Sequence, residues 1–342
     1  MSTGYLYSPL FLEHSEEGHP ESPERLEAIM ELLNKSGLVA RLVGIEPQPA
    51  TDAQILAVHA PEHVARIQRV VAHGGGHLDP DTYVNIFSLD AARLAAGAAV
   101  RAVDAVMSGE VDNAFALVRP PGHHATRDAA MGFCLLNNIA IGAQHALDAY
   151  HLGRILIVDY DVHHGNGTQD IFYREPRVMF FTTHLYPFYP GTGNWNEIGS
   201  GDGMGYTINV PLGAGVGDRG YQQIFDELLF PLAERYRPQL VLASVGYDAH
   251  WRDPLALANL SISGYVSLAR MLMELARELC DGRLVMLLEG GYDLGVLAQG
   301  VAATFRVLLG DEDIPDPIGS SDQREGELGD YVEHLKGIHR LA

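Results

Sequence analysis

The stretch that most constrains the fold is a short aliphatic run, Ile155 to Val158, that ends abruptly in polar residues. Its mostly β-branched side chains are typical of a strand buried on both faces of a parallel sheet. Asp159, Asp161, His163 and His164 occupy four of the next six positions. Because residues two apart on an extended chain point the same way, Asp161 and His163 are predicted to converge on one ion. A polar loop that merely caps the next helix would explain one such residue, but not four.

Strand patterns alternate with helical patterns along the chain, which predicts parallel strands joined by right-handed helical crossovers. Hydrophobic residues make up 47% of the 342 positions, enough for a sizeable core. We therefore expect an α/β protein, a three-layer α/β/α sandwich in a single domain spanning 1–342, with a core at about 5–310 and an acidic C-terminal extension at 311–342. The glycine-rich segment 73–85 is predicted to be a loop, with His73 and His77 on the surface. The predicted strands are 4–7, 113–118, 155–158, 177–183, 206–210, 239–245 and 283–288.

Charge and cysteine content narrow the partners and the compartment. The formal net charge is −21 and no Lys/Arg cluster appears along the sequence, so we expect no nucleic-acid partner, because a phosphate backbone would be repelled. We also expect no membrane contact, since no apolar run reaches the length of a span and the N-terminus lacks the features of a secretory signal. Cys134 and Cys280 are the only cysteines, which fits a reducing compartment and predicts a cytoplasmic protein.

Three other predicted strands also end in chemically useful residues. His123 and His124 follow the strand at 113–118, Asp248 follows the strand at 239–245, and Tyr292 follows the strand at 283–288. In open parallel sheets ligands bind beyond the carboxyl ends of the strands, so these groups are predicted to share one cleft.

The residue types suggest a division of roles within that cleft. Three protein ligands with open positions are the catalytic metal pattern, and Asp161, His163 and Asp248 suit it. The paired imidazoles supply a general base and a general acid. Asp159 and Asn166 are the candidates for orienting the two rings. Tyr292 can donate a hydrogen bond to a developing oxyanion.

The sequence resembles a known family, the zinc-dependent histone deacetylases and their bacterial relatives, the acetylpolyamine amidohydrolases. The resemblance spans roughly residues 5 to 310 and rests on motifs that occur in the same order. Asn166 in place of Asp, and the segment from His19 to Arg25, resemble the class II branch. The motifs are Arg119-Pro-Pro-Gly-His-His, Gly132-Phe-Cys, Asp159-Tyr-Asp-Val-His-His-Gly-Asn-Gly-Thr, Pro190-Gly-Thr-Gly, Gly246-Tyr-Asp and Glu289-Gly-Gly-Tyr.

The resemblance implies the arginase/deacetylase fold, with a central, mostly parallel eight-stranded sheet, and a zinc-dependent hydrolase that removes an acetyl or other short acyl group from a lysine side chain by attack of metal-activated water. Zinc would be held by Asp161, His163 and Asp248, with His123 and His124 as the acid/base pair and Tyr292 polarising the carbonyl. A structural potassium ion is implied near the main chain of Asp159, Asp161, His163 and Thr182. The implied substrate contacts are Gly132, Phe133, Tyr189, Leu255 and Gly291.

The substrate stays open between an acylated lysine peptide or protein and an acetylated polyamine, and the oligomeric state is not readable. Leu255 stands near the tunnel mouth, where some polyamine-selective relatives carry an acidic residue, and its apolar side chain favours acyl-lysine. Asp79 and Asp81 either hold a substrate backbone or amine, or are solvated turn residues.

Two further functions are disfavoured. A binuclear manganese ureohydrolase would need carboxylates at the positions of Gly165 and His250, and His250 is expected to line the rim of the cleft instead. An inactive acyl-lysine-binding module is disfavoured because every proposed catalytic position is filled.

Overall fold

A computed structural model describes residues 1–341 and is built around one eight-stranded parallel sheet. The strands are β1 (Thr3–Leu6), β2 (Val43–Gly44), β3 (Gly76–Asp79), β4 (Thr82–Val84), β5 (Asn113–Ala116), β6 (Ile155–Asp159), β7 (Val178–Leu185), β8 (Thr207–Leu212), β9 (Leu240–Val245) and β10 (Leu284–Leu288). The strand order in the large sheet is β2-β1-β5-β10-β9-β6-β7-β8, and β3 pairs with β4 in a separate antiparallel hairpin.

Helices connect the strands. They are α1 (Glu24–Lys35), α2 (Asp52–Leu56), α3 (Pro61–Ala72), α4 (Ser88–Met107), α5 (Asn138–Ala149), α6 (Asn166–Phe172), α7 (Asp218–Ile224), α8 (Phe230–Tyr236), α9 (Ile262–Leu279), α10 (Leu294–Leu308) and α11 (Gly329–Ile338). They pack among themselves in two groups, one that includes α1, α9 and α10 and another that includes α4 and α5. A π-helical turn, Phe225–Leu229, joins α7 to α8.

The centre of the sheet carries the core and fixes the register of the polar strand ends. Every residue of β5, β6, β9 and β10 is buried, as expected for parallel strands covered on both faces. Asp159, the last residue of β6, pairs in register with Ser244 on β9 and with Thr182 on β7. The carboxyl ends of these strands therefore meet at one edge, and the chain leaves each of them into a loop at that edge.

Local capping explains where several helices begin. The side chains of Asn137, Ser261 and Asp293 accept hydrogen bonds from backbone N–H groups in the first turns of α5, α9 and α10. The predicted sheet is confirmed, with an eighth strand that the pattern analysis did not find. That strand is β2, an edge strand of two residues, too short to produce a readable period.

The prediction of a loop at 73–85 was wrong in part. Segments 76–79 and 82–84 form the hairpin of β3 and β4, held by the buried side chains of Leu78 and Tyr83. Its strands are too short and too glycine-rich for alternation to be visible, while His73 and His77 are exposed as predicted. No helix among residues 1–341 combines the length and the apolar character needed to cross a membrane.

Candidate active site

Three predicted ligands lie together at the carboxyl edge of the sheet. One ligand atom each of Asp161, His163 and Asp248 lies within 4.8 Å of the others, although Asp248 comes from a different strand end. Nδ1 of His163 is 3.1 Å from Oδ1 of Asp161 and 3.2 Å from Oδ2 of Asp248. Both carboxylates are buried, which would be costly without a compensating cation.

The donor set fits a divalent metal ion. Oδ1 of Asp248 accepts the N–H of Val162 at 3.0 Å. Oδ2, also buried, accepts no hydrogen bond within residues 1–341, because the nearby Nδ1 of His163 is hydrogen-bonded to Asp161 instead. Oδ2 of Asp161 accepts the N–H of Gly290 at 2.8 Å, which aims that carboxylate at the same point. Two carboxylates and one imidazole with room for further ligands are typical of a catalytic rather than a structural zinc site.

Gly290 is required by this geometry because its Cα lies against the ligands. A Cβ built at Gly290 would collide with Oδ2 of Asp248 and with Oδ2 of Asp161. The first glycine of the Gly290-Gly-Tyr motif therefore keeps space for the ligand carboxylates.

The tandem imidazoles are oriented as the sequence predicted. Nδ1 of His123 is 3.0 Å from Oδ2 of Asp159, and Nδ1 of His124 is 2.8 Å from Oδ1 of Asn166. The ring centroids of His123 and His124 are 4.0 Å apart, and both rings line the same cavity. Since each Nδ1 is engaged, the Nε2 atoms are the ones available for proton transfer.

The two imidazoles have opposite charge preferences. Burial lowers the pKa of His123, but the carboxylates of Asp159, Asp161 and Glu289 outweigh it and raise that pKa to about 10. Burial and the neighbouring imidazoles of His123 and His163 lower the pKa of His124 well below its ordinary value. These shifts favour a protonated His123 beside a neutral His124, and paired groups with divergent pKa values are typical of acid/base sites.

Tyr292 is held in place from two sides. Its N–H donates to Oδ2 of Asp253 at 2.7 Å, and the Arg25 guanidinium lies 5.1 Å from its ring centroid. Burial raises the pKa of Tyr292 well above its ordinary value, so its hydroxyl stays protonated and can donate a hydrogen bond.

A cavity of about 210 Å³ collects most of the predicted substrate contacts. Gly132, Phe133, Tyr189 and Leu255 line it together with both catalytic-site imidazoles and Tyr292. Gly132 has a φ of +55°, and a Cβ there would collide with the His124 ring, so glycine is needed at this position. Gly291 does not line the cavity: Gly290 does, and the Gly291 carbonyl instead accepts from Arg25.

Two further residues line the cavity. Phe188 was not predicted as a substrate contact, and the role of Asp81 was left open. Phe188 lines the cavity and stacks on His163 at a centroid distance of 5.5 Å, while its neighbour Tyr189 packs edge-on against His124. Of the two aspartates in the hairpin, Asp81 lines the cavity, and Asp79 accepts the Asp81 N–H. Adjacent aromatic residues in an irregular loop have no period, so sequence alone could not assign Phe188 a direction.

Residues outside the predicted set support the site. Glu289 accepts the N–H of Gly122 at 2.7 Å and of His123 at 3.2 Å, which fixes the backbone that carries the tandem histidines. It directly follows β10, so the same strand-end signal that identified Asp159 could have found it. The ion pairs of Glu21 with Arg25 and Arg119 also support the site. No sequence pattern predicts the cluster, because Glu21 and Arg119 are 98 positions apart.

Gly165 and His250, the two positions that would carry carboxylates in a binuclear site, do not form a second metal site. A Cβ at Gly165 would collide with Oδ2 of Asp159, which leaves no room there for a bridging carboxylate. The expectation that His250 lines the rim was wrong: it is fully buried, stacks on Trp251 and does not line the cavity.

Comparison with known proteins gives consistent matches along the chain. The histone deacetylase domain model matches residues 19–308. A probable deacetylase of Archaeoglobus fulgidus is 43% identical, covering 99% of this chain and 98% of that protein. The human polyamine deacetylase HDAC10 is 40% identical, over 85% of this chain and 45% of that protein. The crystal structure of the HDA15 HD domain superposes with a TM-score of 0.90 at 38% identity, covering 99% of this chain and 94% of that one.

Proposed function

Since this chain belongs to the histone deacetylase family, we propose that it removes an acetyl or other short acyl group from the side chain of an acylated lysine. It is a hydrolase that acts on amide bonds, as its deacetylase relatives are. The observation that carries the proposal is one narrow cavity whose wall holds three aromatic rings, two imidazoles, a metal ligand and the phenol of Tyr292. An extended acyl-amine chain fits such a cavity, with its carbonyl group at the polar residues.

We propose zinc as the ion held by Asp161, His163 and Asp248, since the family is zinc-dependent. When bound, it supplies Lewis acidity, which polarises the amide carbonyl and makes water more acidic. The expected content is one tightly held zinc per chain, measured by mass spectrometry on purified protein, and two manganese ions per chain would contradict the proposal. The structural potassium ion near Asp159 and Thr182 remains a proposal, tested by comparing turnover in KCl and in choline chloride.

The side chains divide the proton transfers. His124, neutral and fixed through Nδ1 to Asn166, presents Nε2 as the acceptor for the proton of the attacking water. His123 is hydrogen-bonded to Asp159, and that carboxylate favours the protonated form of His123 beside the developing negative charge. The proton held at His124 is then available for the leaving amine.

Tyr292 supplies the hydrogen bond to the oxyanion through its hydroxyl. Tyr292→Phe keeps the ring and removes only that donor, and should lower kcat by about 10²-fold to 10³-fold, as for the loss of one oxyanion donor. Full turnover by this variant on an acetyl-lysine peptide, at unchanged metal content, would contradict the role.

We propose acyl-lysine as the preferred substrate because Leu255 presents an apolar side chain to the cavity, where a polyamine would place a positive charge. The test compares kcat/KM for an acetyl-lysine peptide and for acetylspermidine in the wild type, Leu255→Glu and Leu255→Gln. The Glu variant should shift the ratio toward the polyamine by about tenfold or more, since an unscreened ion pair in a partly buried site contributes on the order of 1–2 kcal/mol. The isosteric Gln variant controls for size and polarity, and a wild type that prefers acetylspermidine would overturn the assignment.

One observation favours acetylpolyamine deacetylation as a second candidate. Asp81 lines the cavity, and its carboxylate could pair with a polyamine nitrogen. A polyamine deacetylase is also among the relatives. If this candidate is correct, Asp81→Asn should weaken kcat/KM for acetylspermidine far more than for a neutral acetyl-lysine peptide.

A further inference from the structure

A second large cavity, of about 1020 Å³, lies at the edge of the sheet opposite the candidate active site. Arg154 immediately precedes β6 and Arg177 immediately precedes β7, so the cavity opens beside the amino ends of strands whose carboxyl ends carry the metal ligands. Arg235, Arg237 and Arg340 complete its set of arginines, and no Asp or Glu lines it. We call it the arginine cavity.

This concentration of positive charge is unusual for this chain. The whole sequence has 23 Lys and Arg residues against 44 Asp and Glu, yet five of the basic residues line this one cavity. No Lys/Arg cluster appears along the linear sequence, but the fold brings basic residues together from four separate segments. Charges of one sign focused in a concave site attract ligands of the opposite sign.

Helix capping accounts for only part of the guanidinium donors. Arg235 donates through one nitrogen to the carbonyls of His339 and Arg340, and Arg154 donates through Nε to the carbonyl of Arg237. Arg177 pairs with Glu175. The side chains of Arg237 and Arg340 make neither a salt bridge nor a hydrogen bond within residues 1–341, so charge and donors remain for a ligand.

Two of these arginines have a left-handed backbone conformation. Arg237 and Arg340 have φ values of 57° and 55°, just after the ends of α8 and α11. Helices that end in this left-handed conformation usually place glycine there, because a Cβ is strained. Arginine at both positions therefore has a backbone cost that glycine would avoid.

His339 adds an independent polar group. It lines the cavity with only 5% of its surface exposed, and its Nε2 has no hydrogen-bond partner among the described residues. A buried ring nitrogen without a partner is costly, which marks this side of the cavity as incompletely satisfied in its polar contacts.

We propose that the arginine cavity binds a small organic di- or polyphosphate. The planar guanidinium forms paired hydrogen bonds with phosphate oxygens, and several guanidiniums without carboxylate partners call for several negative charges on one compact ligand. The half-exposed Tyr206 ring and the exposed Met204 side chain line the same cavity and offer an apolar surface to the organic part of such a ligand. The concave shape suits a small molecule rather than a nucleic-acid duplex, which needs an extended basic surface.

The test is isothermal titration calorimetry of the full chain, in low-salt buffer without phosphate, with ADP, pyrophosphate and adenosine as probes. ADP and pyrophosphate should bind saturably and more weakly as salt is raised, whereas adenosine should bind at least tenfold more weakly than ADP. The double variant Arg237→Gly/Arg340→Gly suits both left-handed positions and should still fold. It should lower ADP affinity at least tenfold and leave deacylation of an acetyl-lysine peptide unchanged.

Arg324→Gly is the control, because it removes one arginine from an exposed loop outside the cavity and should leave ADP affinity within about twofold. Absence of saturable ADP and pyrophosphate binding would overturn the proposal. So would ADP binding that survives in the double variant, ADP binding that an acetyl-lysine peptide displaces, or tighter binding of a single-stranded oligonucleotide than of ADP.

Discussion

At the scale of single residues, the candidate site depends on side chains that are absent as much as on those present. Gly290 donates its N–H to Asp161, and because it has no side chain, two ligand carboxylates can pack directly against its Cα. Gly132 makes the same allowance for His124. Each glycine belongs to one sequence motif and permits the position of side chains that belong to other motifs.

Gly290→Ala tests this allowance. The added methyl would displace Oδ2 of Asp248 and of Asp161, so we expect the variant to lose at least half of its bound zinc and to lose kcat/KM by about 10²-fold. Zinc content after gel filtration and turnover of an acetyl-lysine peptide are the measurements. Gly213→Ala is the control, because a Cβ there meets nothing within 4 Å. Normal zinc content in Gly290→Ala would show that the ligands can shift at little cost.

At the scale of elements, the loops after β9 and β10 are joined by one carboxylate. Asp253 accepts the N–H groups of Tyr292 and Asp293 through Oδ2, and that of Leu255 through Oδ1 at 2.9 Å. One side chain therefore fixes the proposed oxyanion donor and the residue proposed to select the substrate. Asp253 is a positioning residue, since it does not line the cavity.

Asp253→Asn should lower kcat by about tenfold while the protein remains folded. The amide NH2 would face backbone donors in place of an acceptor, and a buried donor left without an acceptor costs about 1–3 kcal/mol. Steady-state kinetics and the thermal midpoint are measured together, with the exposed Asp313→Asn as control. A fall in the thermal midpoint at unchanged kcat would show that Asp253 only stabilises the loops.

At the scale of the whole molecule, a buried ion cluster ties the N-terminal segment to the sheet. Glu21 accepts from Arg25 and from Arg119, two residues that are themselves fully buried. Arg25 also donates to the carbonyls of Glu289 and Gly291, the backbone that leads into Tyr292. The N-terminal loop, α1, β5 and the end of β10 are thus held by one cluster.

Glu21→Gln should destabilise the protein by about 3–5 kcal/mol, because it leaves two buried guanidiniums without their carboxylate. Burial raises the pKa of Glu21, but Arg119 and Arg25 outweigh it and lower that pKa from 4.5 to about 2. The unfolded chain therefore binds the proton more readily, so the contribution is complete above about pH 4.5 and is lost as pH falls toward 2.

The difference in unfolding free energy between wild type and Glu21→Gln should therefore be constant above pH 5 and shrink as pH falls below 4.5. Urea unfolding followed by circular dichroism across this range measures it, with Glu17→Gln in the same segment as an exposed control. A difference that stays constant down to pH 3 would contradict the proposed coupling of Glu21 to the two arginines.

Much of this arrangement could be read from the sequence. The alternation of periods predicted the parallel sheet, and polar residues directly after buried strands predicted that Asp161, His163, Asp248 and the tandem histidines would share one edge. Asp159 and Asn166 were also the two candidates for orienting the tandem imidazoles, and the structure pairs Asp159 with His123 and Asn166 with His124. These inferences succeed because side-chain direction in a strand and the placement of parallel strand ends follow local rules.

The fold class and the chemistry at the carboxyl edge of the sheet follow from the amino-acid sequence alone. Three other features emerge only once the chain is folded: the hairpin at 76–84, the contact of Asp253 with Tyr292, and the cavity at the opposite edge that arginines from separate segments share. Periodicity reports on neighbours a few residues apart, whereas these contacts depend on how loops far apart in sequence pack against one another.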